Sequence, residues 1–423
     1  MATTEIKNAP TRSDARFHIN NTVYGNKAID TWVLKGKITR ENSDLIKDYV
    51  ARRHTEQDLS QGRVNKISFT LLAWSRFTGT FRDTTIEDLF RGLDALKTAR
   101  QRNGKPYSKN FISDTVGIIK PFYLWMIEQG IALNLREKDI LKIKRPRRDL
   151  MTKTAADILT EDEIKRMVDA CFSSRDRALI MLLYDGGFRI GELGNLTWGQ
   201  VKFDDYGCVI NTDGKTGKPR YVRLIASAPY LATWKQDYPF TPEPGNLVFV
   251  SNQNNPITYE AIYKHISRLA KRAGIQKKVT PHIFRHTRIT DLINKKVPES
   301  VIKTMMWGSL TTDMFACYAH LTNENVDNAI LEQAGIKKLD NAPKSKVLAP
   351  RQCPACYYMN GPTHDYCGKC GTGLTEEARK ALDVKTRAIE NSPRFEPNIE
   401  KIMARMVELE EKVKMMEQVK EGP

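Results

Sequence analysis

Nowhere in the 423 residues is there a run of about eighteen apolar side chains, which excludes a membrane-spanning helix. The N-terminal stretch Met1-Ala2-Thr3-Thr4-Glu5-Ile6-Lys7 lacks the apolar core of a secretory signal. No internal repeat is visible. Cysteine is sparse: of seven, four cluster near the C-terminus, while Cys171, Cys208 and Cys317 stand alone. That distribution is not a disulfide framework, and it predicts a reducing, intracellular (cytoplasmic) setting. Acidic residues are outnumbered, leaving a net charge of +17. Such an excess suits a polyanionic partner, nucleic acid above all, with an anionic membrane surface as the rival.

What is present divides the chain into about three units, as its length suggests. Residues 1–39 carry weak periodicity and read as an arm. From 40 to 134 the apolar spacing is helical: Val64, Ile67, Leu71 and Trp74 share one face, as do Ile86, Leu89, Phe90, Leu93 and Leu96. Thr84-Thr85-Ile86-Glu87 reads as a capping box before the second of these. A third stretch, Ile112 to Met126, contains Pro121, so a kink or two shorter helices are expected there. Residues 135–157 read as a linker with Lys142, Lys144, Arg145, Arg147 and Arg148 around Pro146, able to lie along phosphates.

A second domain, 158–340, opens on the capping-box pattern Thr160-Glu161-Asp162-Glu163. It is mainly helical, with helices at 161–172, 175–185, 258–273, 282–295, 298–307, 311–320 and 324–335. Cys208–Asn211 and Arg220–Leu224 read as strands around a Gly214-Lys215-Thr216-Gly217 turn, and Leu247–Val250 as a third. The fold class is therefore mainly α with a small antiparallel β-sheet. A cysteine module follows at 350–374, then a helical tail, 375–423. In the tail Ile399, Ile402, Met406, Leu409, Val413 and Met416 make an a/d heptad seam. Fewer than three heptads is short for an independent coiled coil, so docking on the same chain and self-association are equally open.

Two arginines, a histidine and a tyrosine occur in an order that suits transfer of a phosphodiester. Arg189 lies in Gly186-Gly187-Phe188-Arg189-Ile190-Gly191-Glu192, Arg285 in His282-Ile283-Phe284-Arg285-His286, and Tyr318 in Cys317-Tyr318-Ala319-His320-Leu321. A phosphoryl group in transfer carries charge on its equatorial oxygens, which planar guanidinium forks hold two at a time. A phenol beside two guanidinium groups is a plausible nucleophile once a base takes its proton. Lys215, on a turn between strands, is placed to protonate the leaving oxygen, with Lys218 as the fallback. His282 would move a proton at the phosphate or the phenol. Singly, each has a plainer reading: Arg189 as an i,i+3 partner of Glu192, Tyr318 and Trp307 as core aromatics, Lys215 as a solvated turn lysine. His286 and Glu192 read as orienting or structural.

The ordered set resembles the tyrosine recombinase (phage integrase) family, in particular integrases of archaea and their viruses or plasmids. The resemblance covers about 40–335 and implies an all-helical core-binding domain followed by a catalytic domain. It further implies a site-specific recombinase that forms a covalent 3′-phosphotyrosine through Tyr318, needs no catalytic cofactor and acts on double-stranded DNA as a homotetramer. Arg189, Lys215, His282 and Arg285 then match the family's catalytic positions. Trp307 falls near the family's second histidine or tryptophan, where an indole N–H can donate to a phosphate but cannot act as a base. Family members usually place Gly before that position, whereas this chain has Met306-Trp307-Gly308.

Cys353-Pro354-Ala355-Cys356 and Cys367-Gly368-Lys369-Cys370 form two Cys-x-x-Cys knuckles. Four thiolates at that spacing suit a structural tetrahedral Zn²⁺, and the module resembles a zinc ribbon. Three other classes are weighed against a recombinase: a DNA-binding accessory factor of the same fold without activity, a type IB-like topoisomerase, and an RNA-binding zinc protein.

Overall fold

The computed structural model describes residues 9–14, 23–101, 103–149, 157–212, 219–315, 318, 333–334, 347–390 and 401–409. The chain divides into two compact units, His18–Lys153 and Met1–Phe17 with Thr154–Pro423. Among the described residues no helix is long and apolar enough to cross a membrane.

The first unit is helical: α1 (Val23–Leu34), α2 (Arg40–Gln57), α3 (Gln61–Thr78), α4 (Ile86–Thr98), α5 (Lys109–Glu128) and α6 (Glu137–Lys142). Local chemistry sets the helix starts. Thr39 accepts from Asn42 N–H at the head of α2, and Ser108 does so from Phe111 N–H at the head of α5. The α4 capping box is real but sits one residue later than the sequence suggests, between Thr85 and Asp88. The stripes on α3, α4 and α5 converge on one core containing Leu71, Trp74, Phe81, Leu89, Phe122 and Tyr123. Phe90 is a correction: it is half exposed, because it lies about 100° round the helix from Leu89.

Pro121 does not divide α5, which runs unbroken through it. About two turns before it, Arg145 packs on the helix and donates to Ser113 O at 3.0 Å and Ser113 Oγ at 3.1 Å. The expected linker also begins later than its composition suggests. Leu135, Ile140 and Ile143 are buried in the helical core. Of its basic residues, Lys142 pairs with Asp139, and Arg145 and Arg148 both pair with Asp114.

The second unit is built on α8 (Ser174–Asp185), whose run from Ala178 to Tyr184 is almost wholly buried. Around it lie α7 (Glu161–Asp169), α9 (Ile190–Gly194), α10 (Ala228–Gln236), α11 (Tyr259–Arg272), α12 (Pro281–Asn294) and α13 (Glu299–Trp307). The Thr160–Glu163 capping box starts α7 as its sequence requires. The sheet is β1 (Val201–Asp204), β2 (Gly207–Thr212) and β3 (Arg220–Leu224), antiparallel in that order. Its outer strand is β1, not the expected Leu247–Val250, which pairs only through the isolated bridges Thr197–Leu247 and Val250–Pro256. Pro10 O also accepts from Leu247 N–H, so the start of the arm joins this unit. Of the expected helix 311–320, Asp313–Phe315 form a 3₁₀ turn. The expected helix 324–335 lies outside the described residues apart from Gln333 and Ala334.

Candidate active site

Three segments meet where α8 ends. Gly187, at φ +54°, takes a left-handed turn that suits glycine. Its carbonyl accepts from Arg285 Nη1 at 2.7 Å. Arg189 follows as the N-cap of α9, its backbone N–H donating to Glu192 Oε2 at 2.7 Å and its Nη1 to Oε1 at 3.0 Å. The i,i+3 pairing read from sequence is thus present, yet Arg189 keeps about a third of its side chain exposed.

Glu192 has a second partner. Arg220, on β3 and 1% exposed, donates through Nε at 3.2 Å and makes a close contact through Nη2. Arg220 Nη1 reaches Met305 O at 2.5 Å, and Arg285 Nη2 reaches Met306 O at 2.5 Å. The last carbonyls of a helix have no partner within it, and the C-terminus carries partial negative charge. Two arginines therefore clamp the end of α13 and fix Trp307, its last residue. The Arg285 guanidinium lies 5.3 Å from the Trp307 ring.

Arg285 is 7% exposed. Among the described residues, no carboxylate forms an ion pair with it. Burial, then repulsion from Arg220 and Arg189, pull its pKa down to about 9. A cation held this way, with only carbonyl acceptors, favours an incoming anion. Glu192 offsets one of the three arginines, so the cluster keeps a positive excess.

Tyr318 is 6% exposed and packs with Ile289, Ile302, Met306 and Trp307. Its hydroxyl lies 2.5 Å from His286 Nδ1. The Trp307 ring centroid is 6.4 Å from that of Tyr318, edge-on. The structure therefore brings Arg189, Arg285, Trp307 and Tyr318 into one neighbourhood. His282 lies at the exposed start of α12. It is one turn from Arg285, on the same side of the helix. Lys215 and Lys218 lie outside the described residues. So does Cys317.

Two contributors carried weak sequence signals. His286 read as orienting, and it is the histidine in contact with the phenol. Arg220 stood only as the first residue of a strand. Its signal was its register: Arg220, Val222 and Leu224 are the inward positions of β3, and an arginine among apolar inward residues needs a buried partner. Glu192→Gln should therefore destabilise the domain by about 3–5 kcal/mol, since it leaves buried Arg220 without its counter-charge. Urea denaturation followed by tryptophan fluorescence reads this loss. A change below about 1 kcal/mol would show that Glu192 does not hold the cluster together.

The cysteine module lies beside this domain. All four thiols, Cys353, Cys356, Cys367 and Cys370, lie within 4.8 Å of one another and could hold a metal ion. The pairs Cys353–Cys370 and Cys356–Cys367 are 3.5 and 3.6 Å apart, close to the roughly 3.8 Å edge of a tetrahedron with ~2.3 Å metal–sulfur bonds. Each knuckle ends on a residue of positive φ, Tyr357 at 58° and Gly371 at 74°. The module is docked: Thr363 Oγ1 is 2.6 Å from Tyr230 Oη on α10, and Leu348 is buried in the same core as α8.

A helical domain with a short antiparallel sheet thus sets a buried tyrosine near the guanidinium groups of Arg285 and Arg189, the side-chain types that phosphoryl transfer uses. The phage integrase family profile matches residues 157–325. Transposase A from transposon Tn554 of Staphylococcus aureus is 25% identical over 252 residues, covering 56% of this chain. The chain spans 62% of that relative's length. Tyrosine recombinase XerA of Pyrococcus horikoshii is 24% identical over 297 residues, covering 68% of this chain and 93% of the relative. A lambda integrase dimer bound to a COC′ core site shares the fold, with a TM-score of 0.51 at 15% identity over 64% of this chain and 96% of that one. Residues 157–325 are thus a domain of the phage integrase family.

Proposed function

We propose that this protein is a site-specific DNA recombinase that breaks and rejoins strands through a covalent 3′-phosphotyrosine at Tyr318. The observation that carries this reading is the 2.5 Å contact of the Tyr318 hydroxyl with His286 Nδ1, one residue from a buried arginine that pairs with no carboxylate among the described residues. In the proposed step the phenolic oxygen bonds to phosphorus, the bond from phosphorus to the 5′-oxygen breaks, and that oxygen takes a proton. Arg189 and Arg285 grip the non-bridging oxygens and lower the energy of the charged transition state. Trp307 borders the same phosphate. His286 Nδ1 accepts the phenolic proton as the oxygen bonds to phosphorus, His282 serves the phosphate side, and Lys215 protonates the leaving oxygen. Because the phosphotyrosine keeps the ester bond energy, a free 5′-hydroxyl reverses the step without ATP.

The proposed partner is double-stranded DNA at specific recombination sites, bound inside the cell by a homotetramer. In the linker, Lys144 and Arg147 are the basic residues best placed for phosphates, as Lys142, Arg145 and Arg148 already have carboxylate partners. A duplex nicked just downstream of the cleavage point tests the reaction, because the short product diffuses away and rejoining fails. The expected result is a denaturant-resistant protein–DNA complex formed in the presence of EDTA. No complex with any cognate site would favour a DNA-binding factor without activity.

The metal at the four cysteines is proposed to be Zn²⁺, with a purely structural part. A segment of this size holds too little core to fold alone, and tetrathiolate binding supplies the missing stability. Chelation is expected to release hydrogen-exchange protection across 353–370 and to leave cleavage within about twofold. A matching loss of cleavage would give the module a larger part.

A further inference from the structure

The turn that leads to Arg189 opens on two glycines, Gly186 and Gly187. Glycine leaves the backbone direction open, so the shape of the turn has to be imposed from outside. Asp185, the last residue of α8, is 5% exposed. Its Oδ2 accepts from Ser227 N–H at 3.0 Å, Ser227 Oγ at 2.9 Å and Ile225 N–H at 3.2 Å, just beyond β3. Its Oδ1 accepts from Arg288 Nη2 at 3.2 Å. Arg288 lies on α12 one turn past Arg285, on the same side of the helix. Its Nη1 donates to Asp291 Oδ2 at 2.9 Å. Both members of the Asp185–Arg288 pair are largely buried.

The pair frames Gly187. A Cβ there would stand 3.0 Å from Met306 Sδ and Cε and 3.4 Å from Arg288 Cβ, so the turn is packed between those side chains. Gly187 O is one of the two carbonyls that accept from the Arg285 fork. We propose that Asp185 and Arg288 are positioning residues for strand cleavage. Their ion pair locks the Gly187 turn and thereby fixes where Arg285 meets the scissile phosphate. This rests on the recombinase reading. A buried ion pair contributes little net stability over apolar side chains of the same size, so its part here is geometric. A displacement of about 1 Å near the chemistry costs on the order of 10²-fold in rate.

Asp185→Asn and Arg288→Met separate this from a merely structural part. Asparagine keeps an oxygen for the backbone at 225–227 but turns an amide NH₂ toward Arg288. Methionine keeps the apolar stem and removes the fork. Single-turnover cleavage of saturating nicked duplex should fall about ten- to hundredfold in each, with DNA affinity within about twofold. The double variant should be no slower than the slower single one, since the same pair is lost in all three. Sulfate should raise the Tm of each variant much less than that of the wild type, because Arg285 no longer holds its place. Folded variants that cleave like the wild type would overturn the proposal. So would a double variant whose losses multiply, or a sulfate shift equal to that of the wild type. If Arg288→Met does not fold, Asp185→Asn carries the cleavage and sulfate readouts alone. Failure of the near-isosteric Asp185→Asn to fold would make the pair a requirement of the fold, and would also overturn the proposal. A wild type that cleaves no cognate duplex sinks the recombinase reading instead, and the sulfate arm then decides by itself whether the pair positions Arg285.

Discussion

Tyr318→Phe is expected to abolish strand cleavage while leaving DNA affinity within about twofold. The substitution deletes one oxygen. The ring remains in its pocket against Trp307 and Met306, so packing changes little. Folding loses one hydrogen bond, to His286, worth about 1 kcal/mol. Cleavage loses its only proposed nucleophile, and removing a covalent nucleophile costs on the order of 10⁶-fold. Single-turnover cleavage of a nicked duplex and a mobility-shift titration separate the two effects. Cleavage surviving in the phenylalanine variant would move the nucleophile to another residue.

Arg285→Ala should slow cleavage by about 10²–10³-fold, the scale of one lost transition-state donor, near 3 kcal/mol. Its effect on folding has a distinct sign. The guanidinium pKa of about 9 lies below its ordinary value through burial and its two arginine neighbours. A depressed folded-state pKa contributes stability only above the unfolded value, and that contribution is lost as pH falls toward 9. At neutral pH the charged Arg285 is therefore a cost to the folded protein, which a bound anion relieves. Sulfate should raise the Tm of the wild type and raise that of Arg285→Ala much less. Equal shifts in both proteins would mean that Arg285 is not the anion-binding group. Arg285→Lys should recover only part of the rate, because an ammonium cannot donate as a planar fork.

The helical framework was legible because periodicity and capping are local. The stripes on α3 and α5 and the Thr160 capping box could be read residue by residue. Phe90 was misplaced because one apolar residue beside a stripe looks like part of it. The sheet's outer strand was missed because Val201-Lys202-Phe203-Asp204 is short and mostly exposed, whereas Leu247–Val250 is buried and β-branched without pairing into the sheet. Arg189, Arg285 and Tyr318 were legible as a set, since their order carries the chemistry. The parts of Arg220 and His286 were not. Each depends on which residue tertiary packing sets opposite it, Glu192 across 28 residues and Tyr318 across 32. The linker's charges were legible, but their pairing with Asp114 and Asp139 was not, because it needs the fold.

Peptide mapping of the protein–DNA adduct bears most directly on the central claim. The trapped complex from a nicked duplex is digested with nuclease and protease, and the modified peptide is sequenced by mass spectrometry. A nucleotide joined through its 3′-phosphate to Tyr318 is the predicted result. A nucleotide on any other side chain, or one attached through a 5′-phosphate, would contradict it.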